Sequence, residues 1–118
     1  MTRITFFRRS GAFYGFREEG HADYSTAGDD ILCASLSAMT MLIVNAIEVT
    51  YAARVDYEID EEQAIITVWA YGALPEHEDD PAKRFAVSGL VEAYYYQLND
   101  LLEDYYNYLD VEIHDDEE

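Results

Sequence analysis

Gly20-His21-Ala22-Asp23-Tyr24-Ser25-Thr26-Ala27-Gly28-Asp29-Asp30-Ile31-Leu32-Cys33-Ala34 is the stretch on which the fold turns. It holds the only cysteine among 118 residues, with a histidine upstream between a glycine and an alanine. Ala22, Asp23, Tyr24, Ser25, Thr26, Ala27 and Gly28 are small or polar, the composition of a connecting loop. Asp29 or Asp30 then caps a helix, because an aspartate side chain accepts the unpaired N–H groups of a first helical turn. The helix is expected from about residue 31 to about residue 48. Its uncharged run includes Ser35, Ser37, Thr40 and Asn45. That argues for a buried central helix and against a membrane span, which needs ~20 apolar residues. Being apolar nearly all round, it is expected to bury more than one side.

Working outward, Ile4-Thr5-Phe6-Phe7-Arg8-Arg9 reads as a strand, rich in β-branched and aromatic residues. Ser10-Gly11 is a turn signal, and residues 13–18 form a second strand. The resulting hairpin delivers the chain to Gly20-His21. Downstream, Val55, Tyr57 and Ile59 alternate with Asp56, Glu58 and Asp60, the pattern of a half-buried strand with one wet face. Residues 64–70 form a fourth, more central strand. After an acidic linker, Asp80-Pro81 starts a second helix with Asp80 as cap and Pro81 at its first position. Val87, Leu90, Val91, Tyr94, Leu98, Leu101, Leu102, Tyr105 and Leu109 keep a spacing of three and four, which predicts one helical stripe. The tail Asp115-Asp116-Glu117-Glu118 is expected to fray.

The order β-β-α-β-β-α predicts an α+β two-layer sandwich, with a mainly antiparallel four-stranded sheet and both helices on one face. Residues 1–114 are expected to form one domain, with residues 115–118 as an acidic tail. Tyr95, Tyr96, Tyr106 and Tyr108 lie off the helical stripe. Two readings of them are open: ordinary half-buried tyrosines, or the seal of a dimer.

Half the residues are hydrophobic, enough for a packed core. The single cysteine excludes an internal disulfide, fits a reducing cytoplasm and leaves a thiol for chemistry. The N-terminus shows no apolar run followed by a cleavage site, so no signal peptide is expected. The net charge is −18, of which residues 56–118 carry −17. A field that negative repels nucleic acid and anionic membrane and attracts basic partners. Solubility alone is the plainer explanation for most individual charges.

Cys33 would lie in the first turn of the expected helix. The helix N-terminus favours a thiolate, and the backbone amides at Leu32 and Cys33 are candidate donors to an oxyanion. His21 would exchange the thiol proton if the loop brings it within reach. On the residues alone, a lone cysteine on an apolar helix is more often inert packing. Asp30 and its neighbour Asp29 have two roles open, orienting His21 or capping the helix. Ser37, one turn after Cys33, either serves the site or bonds back to the preceding turn. The segment Glu76-His77-Glu78-Asp79-Asp80 lacks the residue order of a calcium loop and reads as a solvated capping stretch. No cofactor or metal is expected.

The joined pattern is specific. Gly20-His21-Ala22, a short polar loop with Gly28, then Asp30-Ile31-Leu32-Cys33-Ala34 and Ser37 resembles the ribosomal-processing cysteine protease family (Prp, also called YsxB-like). Its pattern is Gly-His-Ala, a loop, then Gly-x-Asp-Ile-Val-Cys-Ala-x-x-Ser, with Leu32 here in place of valine. The resemblance covers nearly the whole chain. It implies Cys33 as nucleophile, His21 as general base, and Asp30 and Ser37 as supporting residues. It also implies a mobile histidine–cysteine loop and a homodimer in the bacterial cytoplasm. The implied substrate is a basic ribosomal protein precursor, the twenty-seventh of the large subunit. Its short N-terminal extension would be removed after a hydrophobic, aromatic-containing segment. The strong negative charge and acidic linker are not part of the pattern and fit attraction to a basic substrate. The alternatives are a non-catalytic acidic module that binds a basic ribosomal protein or assembly factor, and a plain homodimeric scaffold.

Overall fold

The computed structural model describes residues 1–20 and 27–116, with residues 27–30 described in the backbone only. Strands β1 (Thr2–Arg9) and β2 (Ala12–Glu19) form an antiparallel hairpin. Ser10 and Gly11 both take positive φ at its turn, the geometry that matches the twist of a two-residue hairpin. Ile4 and Phe6 alternate inward from β1 and are fully buried. A register shift at Phe7/Arg8 lets both Phe13 and Phe16 reach the same core, where each packs against Phe6.

Helix α1 spans Ala27–Asn45 and continues as a π-helical turn, Ala46–Thr50. It starts earlier than expected. Asp29 and Asp30 lie inside its first turn, past the position of a cap, and Ala27 and Gly28 are helical and not loop. It also buries one face only. Leu32, Leu36, Thr40, Ile43, Val44 and Ile47 enter the core, whereas Leu42 is 64% and Val49 73% exposed. By length and composition residues 31–50 would pass as a membrane-crossing helix, but their buried stripe belongs to the domain core.

Strands β3 (Asp56–Asp60) and β4 (Ile65–Trp69) make the second hairpin. β4 lies centrally and pairs with β2. β3 was expected to be half-buried but is exposed along nearly its whole length, with Ile59 54% exposed. The reason is its place at the sheet edge, where the helix layer leaves it uncovered.

Helix α2 (Pro81–Tyr105) begins as expected: Pro81 occupies its first turn and the Asp80 carboxylate accepts from the Ala82 N–H at 2.9 Å. Val87, Val91, Tyr94 and Leu98 form its buried stripe. The helix stops at Tyr105, short of the predicted Leu109. Leu109 instead opens a fifth strand, β5 (Leu109–Asp115), which pairs parallel to β1. The sheet is therefore five-stranded and mixed, in the order β3-β4-β2-β1-β5. The signal was present: Leu109, Val111 and Ile113 alternate with Asp110, Glu112 and His114. Leu109 also fits the helical spacing, which hid the change of period.

Residues 115 and 116 do not fray. Arg8 holds the Asp115 carboxylate with two hydrogen bonds, at 2.6 and 2.7 Å, and the Asp116 N–H donates to the Arg8 carbonyl at 2.7 Å. Glu117 and Glu118 lie outside the described residues. Among the tyrosines left open by sequence, Tyr95 and Tyr108 are half-buried, and Tyr96 and Tyr106 are exposed.

Candidate active site

β2 ends at Glu19, and Gly20 then takes φ +85°. A Cβ on Gly20 would stand 2.5 Å from the Met1 carbonyl oxygen, so both backbone conformation and space require glycine. The chain passes from this fixed point directly to His21. His21, Ala22, Asp23, Tyr24, Ser25 and Thr26 lie outside the described residues. So do the side chains of Asp29 and Asp30.

Cys33 lies nearly two turns into α1, between Leu32, which is buried in the core, and Ala34, which is exposed. Cys33 itself is half-buried, whereas Leu32 and Leu36 are buried in the core. Because α1 starts at Ala27, its unpaired first-turn amides precede Ile31. The expected oxyanion donors at Leu32 and Cys33 are thus intrahelical donors, a consequence of the earlier helix start. Ser37 follows Cys33 by one turn and is exposed. The back-bond to the preceding turn is made by Ser35 instead, whose hydroxyl donates to the Ile31 carbonyl at 2.9 Å.

Beside Gly20 a hollow of about 370 Å³ is bordered by Met1, Arg3, Glu19, Gln63 and Ile65. The start of β1 and the ends of β2 and β3 converge here, since Glu19 and Asp60 both pair with Ile65. This end of the sheet borders the residue that precedes His21.

Behind it lies a group that the sequence reading missed. Glu18 is only 2% exposed, and its Oε1 accepts from the Thr40 hydroxyl at 2.8 Å and the Tyr94 hydroxyl at 2.7 Å. One carboxyl group therefore joins β2, α1 and α2, and both helices must cover the same face of the sheet. Burial raises its pKa, and the two donors only partly oppose that. The period of two from Phe16 to Glu18 was the available signal for an inward-facing acid.

The arginines of the first hairpin form no open basic patch. Arg3 pairs with Asp110, Arg8 with Asp115, Arg9 with Glu76 and Asp116, and Arg17 with Glu19.

The family model for the cysteine protease Prp matches residues 1–110. The chain belongs to the Prp family of cysteine proteases. The Prp fold also recurs in solved structures. A Streptococcus mutans protein shares 27% identity at a TM-score of 0.81, over 98% of this chain and 96% of that one. The ribosomal processing protease Prp of Staphylococcus aureus, crystallised with a substrate peptide, shares 20% identity at a TM-score of 0.73, over 98% of this chain and all of that one. The same enzyme with a covalently linked product peptide matches at 21% identity and the same TM-score. No curated protein matches the chain.

Proposed function

We propose that this protein is a cysteine endopeptidase with a His21–Cys33 dyad that processes a ribosomal protein precursor. The observation that carries the proposal is the joined motif, Gly20-His21-Ala22 followed by Asp30-Ile31-Leu32-Cys33-Ala34, in a chain that the Prp family model matches over residues 1–110. The half-buried Cys33 on the following helix and membership of the Prp family support the pairing. His21 takes the Cys33 proton, and the thiolate attacks the scissile carbonyl. The tetrahedral adduct collapses as His21 protonates the leaving amine, and water then releases the acyl-enzyme. Asp30 and Ser37 act as supporting groups.

The substrate we propose is the twenty-seventh large-subunit ribosomal protein, made with a short N-terminal extension in a bacterial cytoplasm. Support comes from the related Staphylococcus aureus enzyme, a ribosomal processing protease solved with a substrate peptide. The extended segment would add to an open sheet edge, for which β3 is the described candidate. A homodimer belongs to the same reading; the exposed apolar side chains of α1 and β3, with Tyr96 and Tyr106, offer it surface.

The test is incubation of the protein, and of its Cys33→Ala and His21→Ala variants, with a peptide spanning the extension junction. Cleavage after the aromatic-containing segment, lost in both variants, is expected. No cleavage by the unmodified protein rejects the protease reading and leaves the acidic binding module. Cleavage that survives Cys33→Ala rejects the residue assignment.

A further inference from the structure

The Glu18 carboxyl stands where packing alone calls for an apolar side chain. Its neighbours across the sheet are Ile4 on β1 and Ile66 on β4. Phe16, two residues earlier on the same strand, enters the same core. Taking a carboxyl group out of water costs free energy, and a well-packed apolar residue of similar size is often as stable or more so. Stability therefore gives no reason for an acid at this position.

What the acid adds is direction. α1 rests on the domain through Leu32, Leu36, Ile43, Val44 and Ile47, and apolar contact of that kind is non-directional. The Thr40 hydroxyl, at 2.8 Å from Glu18 Oε1, adds a bond with a narrow range of length and angle. Both side chains are buried, so water does not compete for that bond.

The two ends of the bond lead to the two ends of the family motif. Thr40 follows Cys33 by seven residues, about two turns of α1, and so shares its face of the helix. Glu18 precedes Gly20 by two residues at the end of β2, and Gly20 is itself packed closely on the Met1 carbonyl. The second donor to Oε1, the Tyr94 hydroxyl at 2.7 Å, comes from α2, which carries no part of the motif.

We propose that Glu18 is a positioning residue: through Thr40 it fixes the height and rotation of the Cys33 face of α1 relative to the end of β2 that runs on to His21. This role rests on the His21–Cys33 reading above and adds to it a residue outside the motif. Glu18 acts through α1 and touches no reacting atom.

Because Cys33 is the only cysteine, its alkylation by iodoacetamide in the full chain reports on the pair without any substrate. Thr40→Val removes the donor and keeps the shape, Thr40→Ala removes both, and Thr40→Ser keeps the donor. Tyr94→Phe removes the other donor to the same oxygen and controls for lost stability. Thermal melts set an assay temperature at which each variant is folded. Thr40→Val and Thr40→Ala are expected to slow alkylation and to lower kcat on the junction peptide, each about tenfold, with KM changed little. Thr40→Ser restores both rates, and Tyr94→Phe leaves alkylation unchanged. In a His21→Ala background the Thr40 substitutions have no further effect on alkylation, because the bond acts through the placement of the pair. Slowing by the Thr40 substitutions no greater than in Tyr94→Phe, or undiminished in the His21→Ala background, overturns the proposal and reduces Glu18 to a core contact with the dyad intact. Alkylation of His21→Ala as fast as that of the unmodified protein rejects the dyad itself, and this role of Glu18 with it.

Discussion

The Tyr94 hydroxyl donates to Glu18 Oε1 at 2.7 Å inside the core, and Thr40 donates to the same oxygen. Burial disfavours the ionised carboxylate there, and the two hydroxyl donors only partly oppose that. Burial raises the Glu18 pKa above its ordinary 4.5, and burial with the neighbouring Glu18 also raises the Tyr94 phenol. The folded state thus holds the Glu18 proton more tightly than the unfolded chain does. This contribution is fully present below pH 4.5 and is lost as pH rises through the raised value. Thermal melts across that range should show Glu18→Gln less sensitive to rising pH than the unmodified protein. Equal sensitivity in the two proteins would refute this.

Asp115 and Asp116 carry the opposite sign. Hydrogen bonds from Arg8 and Arg9 hold their pKa values below the ordinary 3.8. Their stabilisation is present above pH 3.8 and is lost as pH falls through the lowered values. Amide exchange in β5 should therefore accelerate on acidification before exchange in β2 does. Uniform acceleration of both strands would count against this pairing as the anchor of β5.

Gly20→Ala combines a left-handed backbone with a clash on the Met1 carbonyl. It is expected to destabilise the fold by about 1–3 kcal/mol and to lower cleavage of the junction peptide further than the stability loss alone accounts for. Denaturant titration together with initial rates separates the two effects. A variant with unchanged stability would contradict the geometry.

Leu98 is fully buried in the core cluster of the described residues. Leu98→Ala should cost about 2–5 kcal/mol in chemical denaturation. A smaller loss would mean that the helix layer collapses around the cavity.

If the −18 charge draws a basic precursor to the enzyme, cleavage of that protein should slow steeply between low and physiological salt. Cleavage of a short uncharged junction peptide should change little over the same range. Equal salt response in both would remove attraction as the purpose of the charge.

Local chemistry made much of the molecule legible in sequence. The first hairpin followed from β-branched and aromatic alternation around Ser10-Gly11, and the start of α2 from the adjacent cap and proline at Asp80-Pro81. The Gly-His-Ala and Asp-Ile-Leu-Cys-Ala segments were enough to indicate the Prp family, because a joined motif carries more information than either residue alone. What failed needed distant partners. Leu109 satisfies both a helical and a strand period, and only its pairing with Thr2 on β1 decides for the strand. The exposure of β3 and of the outer face of α1 depends on how far the helix layer extends over the sheet, which no local pattern encodes. Glu18 reads as one more acid in an acidic chain until Thr40 and Tyr94 enclose it. Sequence therefore determined the elements governed by neighbouring residues and the family motif around His21 and Cys33. Tertiary structure decided strand order, burial and the surroundings of Glu18, because each depends on groups far apart in the chain that meet only when it folds.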